Sequence, residues 1–280
     1  TKMCMRIEDG KLIGYDCSSE EKKVVIPDGV KEIGELAFFE CRNIGEVSIP
    51  DSVTKIGKGA FNYCTGMADD DGFVIVRNVL YYYDGDNSDV VIPSGVVRIC
   101  DSAFCDTRVM ITSVVIPDSV TEIGDGAFAD CRMLKKVHMS ANIRKIEDTA
   151  FVNCRSLTDI EIPDTIESIG DGAFTGCKAL KDKNEYVIVN NCVYDYFGTD
   201  VDITIPDGVE GIKSIFINMH SHIRSIKIPS SVKYINELAF HGCQNLERVE
   251  VPAALKCEAM AAINYGQLLF PERNTMLTTY

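Results

Sequence analysis

Twelve cysteines and four histidines carry whatever nucleophile or metal chemistry this 280-residue chain offers, since thiols and imidazoles ionise or ligate nearest neutral pH. Six of them, Cys41, Cys64, Cys131, Cys154, Cys177 and Cys243, close copies of one short pattern, A-F-x-x-C. Cys131, Cys154 and Cys177 are evenly spaced, so the three cannot all pair with one another. Thr107 and His220 replace Cys at the same place in other copies. The six therefore read as buried small apolar side chains, not as a disulfide framework. Cys4, Cys17, Cys100, Cys105, Cys192 and Cys257 lie off this column, and nothing else supports a Cys100–Cys105 bridge. His220, His222, His241 and Cys243 have the donor types of a zinc site. The packing reading is preferred: His220 fills the Cys column, and His222 and His241 read as surface residues. His241 and Cys243 fail as a base and nucleophile, because a buried thiol is inert. Asp84, Asp86 and Ser88 alternate as in a calcium loop but lack its glycine and closing glutamate, and read as solvated turns. With no G-x-S-x-G, H-E-x-x-H or phosphate loop, no catalytic residue, metal or cofactor is assigned, and the chain is expected not to be an enzyme.

Acidic residues outnumber basic ones, 42 to 28, for a formal charge of −14. That surface repels phosphate backbones, so nucleic acid is not an expected partner. No apolar run is long enough to insert in a membrane. The start, TKMCMRIEDG, has neither an initiator Met nor the apolar core of a leader, and reads as a mature or trimmed fragment.

The elements that position these residues come from a repeat. The proline of an "I-P" pair recurs at Pro27, Pro50, Pro93, Pro117, Pro163, Pro206, Pro229 and Pro252, with Ser140 taking its place once. The interval is 23 or 24 residues, and twice it carries about 20 more. We number the nine coils by these anchors. Val or Ile stands three before the anchor, an apolar residue one before, Ile six after (Ile33 through Ile235) and Phe eleven after, with Ile217 the substitute. Alternation before the anchor marks a strand with one buried face. One unit cannot bury these residues, but stacked units can, each column becoming a ladder. At about 4.8 Å per coil the stack would be roughly 40 Å long. Gly34, Gly57, Gly124 and Gly170 share a column expected to form a tight bend, with Asn236 able to take positive φ there.

Segment 157–177, LTDIEIPDTIESIGDGAFTGC, resembles the BspA-type leucine-rich repeat family, with Leu157, Ile160 and Ile162 giving L-x-x-L-x-L. The resemblance spans about residues 24–252. It implies a right-handed leucine-rich repeat solenoid: a β/α superhelix of about nine coils with one short strand each on the concave side, a second short strand, and a helical turn at A-F-x-x-C. It also implies a secreted or cell-surface protein of host-associated microbes that binds other macromolecules. Numerous free thiols fit an anaerobic setting or, as the alternative, a cytoplasmic one.

The two insertions match each other at an offset of 113 residues, and residues 5–19 look like a third copy. Each reads as a β-hairpin. The expected organisation is one repeat domain over 1–280: an N-terminal hairpin cap at 1–23, repeats over 24–251 with hairpins near 69–89 and 182–202, and a C-terminal cap at 252–280 whose Ala-rich stretch favours helix. The hairpins either brace the stack or protrude as a contact surface, which Tyr81, Tyr82 and Tyr83 would furnish. Residues four and two before each anchor must point away from the core. Among them Glu46, Ser48, Lys136, His138, Asp159, Glu161, Asp202 and Thr204 are the candidate binding residues, and Val91 with Val115 forms a small apolar pair. The expected function is a monomeric adhesion or recognition module for a host or microbial surface protein or glycan; the alternative is a structural spacer in a larger surface protein.

Overall fold

The computed structural model describes residues 5–18, 20–213, 220–269, 271–272 and 274–280; Cys4 and Ile217 lie outside them. The chain winds as a β-solenoid. Before each anchor runs a short strand, such as Lys23–Val25, Asp89–Val91 or Lys136–His138, paired in parallel with the next coil. The register sets like on like: Val24 faces Val47, Val114 faces Val137, and Ile203 faces Ile226. A shift of one residue would turn this apolar column out to water, which is why the 23-residue spacing is held so closely. The anchor proline has no N–H to give the ladder and ends the strand. A second two-residue strand closes on the Ile column, with Ile99, Ile123, Ile146 and Ile169 in successive register.

The A-F-x-x-C segment is not the helical turn that the family resemblance implies but a run of reverse turns. Its amides alternate between two partners. Phe39 and Cys41 donate three residues back, to Leu36 and Phe38, while Phe38, Phe128 and Phe151 donate to alanines of the following coil. An N–H committed to the neighbouring coil cannot close the i−4 bond of an α-helix. Two positions of this turn run are left-handed in each of coils 1–6. One holds Leu36, Gly59, Ser102, Gly126, Thr149 and Gly172; the other holds Glu40, Tyr63, Asp106, Asp130, Asn153 and Gly176. The glycine column expected to bend lies elsewhere and does not need positive φ. A Cβ on Gly57 would stand 2.4 Å from the Glu35 backbone nitrogen, and one on Gly170 2.3 Å from that of Asp148. Close approach of the preceding coil, not backbone twist, selects glycine there. Asn236 in that column is not left-handed; its Oδ1 accepts the Leu238 amide.

The Phe column forms a stacked ladder. Ring centroids are 5.1 Å apart from Phe38 to Phe61, and 4.6, 5.1 and 5.4 Å apart from Phe104 through Phe128 and Phe151 to Phe174. Beside it, the thiols of Cys64, Cys154 and Cys177 donate to the Phe38, Phe128 and Phe151 carbonyls one coil earlier, which accounts for Cys where Ala would fill the volume.

Each hairpin continues the second sheet. Val79–Tyr83 pairs in parallel with coil 3, Lys11–Tyr15 with coil 1 and Cys192–Tyr196 with coil 7. Tight turns with both central residues at positive φ, at Asp9-Gly10, Arg77-Asn78 and Asn190-Asn191, join their strands. This overturns the protruding reading of the tyrosines: Tyr81, Tyr82 and Tyr83 are 3, 3 and 1% exposed. Because their strand joins the solenoid, the Tyr81 and Tyr83 rings join its ladder, Tyr81 edge-on to Phe61 and Tyr83 against Phe104, while Tyr82 packs on Tyr63. Burial of the phenols drives the Tyr82 hydroxyl pKa up to about 12. The hairpins also divide the molecule. Among the described residues the core falls into three clusters, and the first-strand sheet into three strips, over coils 1–2, 3–6 and 7–9.

Past the last anchor, Leu255 of the turn Ala253–Leu255 and Ala259, Ala262 and Ile263 of helix Lys256–Leu269 pack into the third cluster. Strand Met276–Thr279 then returns to pair in parallel with Arg248–Val251. One cysteine assignment is corrected: Cys41 forms a disulfide with Cys17, Cα–Cα 4.8 Å. Cys17 follows the first hairpin, where the tail is not held to the repeat spacing and can bring its sulfur within bonding reach. Cys100 and Cys105 are not bonded to each other, and Cys131 is only half-buried.

Candidate recognition surface

Coils 5 and 6 give the most developed site on the first-strand face. Strand pairing sets Lys136 opposite Asp159 and Val137 opposite Ile160. Val137 points into the core, so Lys136 and His138 point out, and Asp159 and Glu161 flank Ile160 in the same way. The four line one depression of about 370 Å³, walled by Met139 and Pro163. Lys136 Nζ donates to Asp159 at 2.8 Å, and this bond raises the lysine pKa. Both partners are more than half exposed, so the pair adds little to stability; it fixes where a cation and an anion are presented.

Apolar surface adjoins the charges. Val115 is in register with His138 on one side and Val91 on the other, and the two valines are 37 and 65% exposed. The strip thus grades from exposed methyl groups to an ion pair over four adjacent strands. It can hold an extended or branched ligand by surface contact, and it places no activated nucleophile.

The remaining candidates stand apart from this site. Glu46 and Ser48 belong to the first strip, where Glu46 pairs with Lys23 at 2.9 Å. Asp202 and Thr204 belong to the third. They line a separate cleft of about 620 Å³ with Glu185, Tyr196, Phe197 and Asp200 of the third hairpin and its tail. The eight exposed candidates therefore form three groups rather than one continuous surface. The hairpin's share of the third cleft was missed. Its only sequence signal was an Asp-bearing segment between the hairpin and coil 7.

The histidine expected to fill the core does so with a partner. His220 Nε2 lies 3.2 Å from Asp195 Oδ1, and Asp195 is fully buried. Asp195 also accepts the Gly176 and Tyr196 amides at 2.9 and 2.8 Å. Among the described residues, no group of three potential metal ligands converges. Asp84 is held by Arg108 at 2.8 Å, and Asp69 folds back on the Asp71 and Phe73 amides. Burial pushes the Cys64, Cys131 and Cys177 thiols up to about 12, and Cys154 well above the usual range. No helix among the described residues is long and apolar enough to cross a membrane.

Comparison with known proteins adds to this picture. No curated protein matches the chain. Among solved structures, a leucine-rich repeat protein from Bacteroides capillosus is 31% identical over 37% of this chain and 91% of its own (TM-score 0.33). A leucine-rich repeat protein from Bacteroides ovatus is 23% identical over 92% of this chain and 66% of its own (TM-score 0.39). A leucine-rich cell surface protein from Faecalibacterium prausnitzii is 21% identical over 100% of this chain and 94% of its own (TM-score 0.41). The model of the BspA type leucine rich repeat region matches in six copies, over residues 14–69, 74–186 and 182–268. With that match over most of its length, and with its ladders of Val, Ile and Phe stacked coil on coil, the chain belongs to the BspA-type leucine-rich repeat family.

Proposed function

We propose that the chain is a monomeric, non-enzymatic recognition module that binds a surface protein or glycan through the first-strand face of coils 3–6. One observation carries the reading: Lys136, His138, Asp159 and Glu161, drawn from two coils 23 residues apart, converge on a single depression, and exposed Val115 and then Val91 continue the face on the next two strands. Mixed apolar and charged character over a rigid ladder is what interfaces use, the apolar part for affinity and the charges for orientation. Fold alone does not supply this conclusion. A secreted or cell-surface location belongs to the same proposal. It is supported by family membership, by the cell surface protein of Faecalibacterium prausnitzii among the similar structures, and by the Cys17–Cys41 disulfide, which suits an oxidising compartment.

The test is a screen of the purified chain against arrayed extracellular-matrix proteins and animal and microbial glycans at physiological salt. A saturable hit that is lost when Lys136, His138, Asp159 and Glu161 are changed together to Ala supports the proposal. A blank array, or a hit indifferent to those four changes, overturns it and leaves the chain a structural spacer.

A further inference from the structure

We infer that a second ligand site, of a kind that takes a saccharide, lies on the reverse-turn face where coils 1 and 2 meet the second hairpin. A cleft of about 400 Å³ opens there, within the roughly 300–1,000 Å³ range of small-ligand sites. Its floor is aromatic. Phe39 meets Tyr63 edge-on at 5.4 Å between centroids, and Tyr63 leans on Tyr82 at 4.5 Å. Tyr82 is buried and anchored by its hydroxyl to the Asp106 carbonyl at 3.2 Å, so it serves as the backing of a platform. Phe39 is 38% exposed and Tyr63 half-buried; these two present ring surface to the cleft.

The rim is polar and of both signs. Arg108 is fixed by Asp84 at 2.8 Å, Asp106 reaches the Tyr63 hydroxyl at 3.5 Å, and Arg42 stands exposed, 3.8 Å from Glu40. A flat ring floor takes up the C–H face of a pyranose, while carboxylates and guanidiniums spaced around it bond its hydroxyls as acceptors and donors. The rim holds three acids, Glu40, Asp84 and Asp106, against two guanidiniums, Arg42 and Arg108, a slight negative excess that favours a neutral, polyhydroxylated ligand over an anion.

The fold does not require these aromatics, and the molecule contains its own comparison. The junction of coil 6 with the third hairpin is the same structure displaced by 113 residues. There Gly176 stands in the place of Tyr63 and Asp195 in that of Tyr82. The outcome is a closed polar contact, Gly176 amide to Asp195 at 2.9 Å, with Asp195 buried against His220. The third hairpin pairs with its coil in the same register as the second, Val193 on Ile212 as Leu80 on Ile99, without the aromatic cluster. Tyr63 also holds one of the left-handed positions, at φ 60°, where coils 3–6 use Asp, Asp, Asn and Gly. A bulky side chain is costly in that conformation, and such costs concentrate at functional positions. This site is independent of the proposed first-strand face, which lies on a different side of the coil.

The test uses the intact chain, with cellohexaose, maltohexaose and a panel of arrayed neutral microbial and animal glycans as probes. Saturation-transfer NMR and intrinsic tyrosine fluorescence serve as readouts, the latter undisturbed because the chain has no Trp. Phe39→Ala changes an exposed side chain and is expected to leave the melting temperature unaltered. It should weaken saccharide binding about tenfold, while Phe39→Tyr retains it. The four first-strand Ala changes should leave that binding untouched. The inference is overturned by a blank against all saccharides, by binding indifferent to Phe39→Ala, by binding lost only with the first-strand changes, or by capture of peptides but not saccharides at this cleft.

Discussion

Phe128→Ala probes the reason this sequence repeats. Phe128 is fully buried, its ring parallel to Phe104 at 4.6 Å and to Phe151 at 5.1 Å, with interplanar angles of 13 and 3°. Deleting a buried phenyl costs about 3–5 kcal/mol through lost transfer and the cavity left behind. Two ring contacts vanish together, and flanking coils held by backbone bonds on three sides cannot close the gap, which places the cost near the top of that range, about 5 kcal/mol. In a solenoid the loss is felt first by nearest neighbours. Urea unfolding followed by far-UV circular dichroism should therefore show an early transition, and hydrogen exchange should accelerate over coils 3–6 before coils 7–9. Val25→Ala, at a position 59% exposed on the first strand, is the control and should shift stability by no more than about 0.5 kcal/mol. A cost below about 2 kcal/mol for Phe128→Ala would refute the claim that the stacked columns are the source of stability.

Three further outcomes are expected. Reducing the Cys17–Cys41 bond, which closes 24 residues of chain, should lower stability by about 3 kcal/mol, read as a fall in melting temperature with dithiothreitol that Cys17→Ser does not show. Iodoacetamide at pH 8 should label exposed Cys257 in the native protein and reach Cys154 and Cys177 only after denaturation, because burial holds those thiols protonated; labelling all three at one rate would contradict the packing. The Lys145 hydrogen bond, more than the nearby Lys58 charge, holds the Glu147 pKa below its ordinary 4.5. Its contribution is then complete above that value and disappears as pH falls through the lowered one, so Glu147→Gln should flatten the acid limb of the stability profile below about pH 5.

The ladders were legible because each column demands one residue type. Val24, Ile33 and Phe38 recur at fixed spacing, and parallel register converts that spacing into contact. The outward position of Lys136, His138, Asp159 and Glu161 followed from strand alternation alone, although that they converge on one depression needed the coordinates. Of the two readings of the hairpins, bracing the stack holds and protrusion of Tyr81 to Tyr83 does not, because an insertion that looks like an excursion from the repeat is in fact part of it. Only the pairing of Leu80 with Ile99 shows that it is a strand of the solenoid. The glycine column was recognised but given the wrong cause, since a spacing pattern does not separate a twisted backbone from one crowded by the preceding coil. The Cys17–Cys41 bond and the returning strand at Met276–Thr279 depend on segments that occur once, where a repeat offers no second copy to compare.

The proposed recognition face is tested most directly by exchanging its ion pair. Lys136→Asp with Asp159→Lys keeps a cation and an anion in the same register, so folding and melting temperature should not change, while the pattern shown to a ligand is reversed. Affinity for the partner found on the array should fall about tenfold or more by surface plasmon resonance at physiological salt. Unchanged affinity in the exchanged variant would contradict the account and place recognition elsewhere on the solenoid.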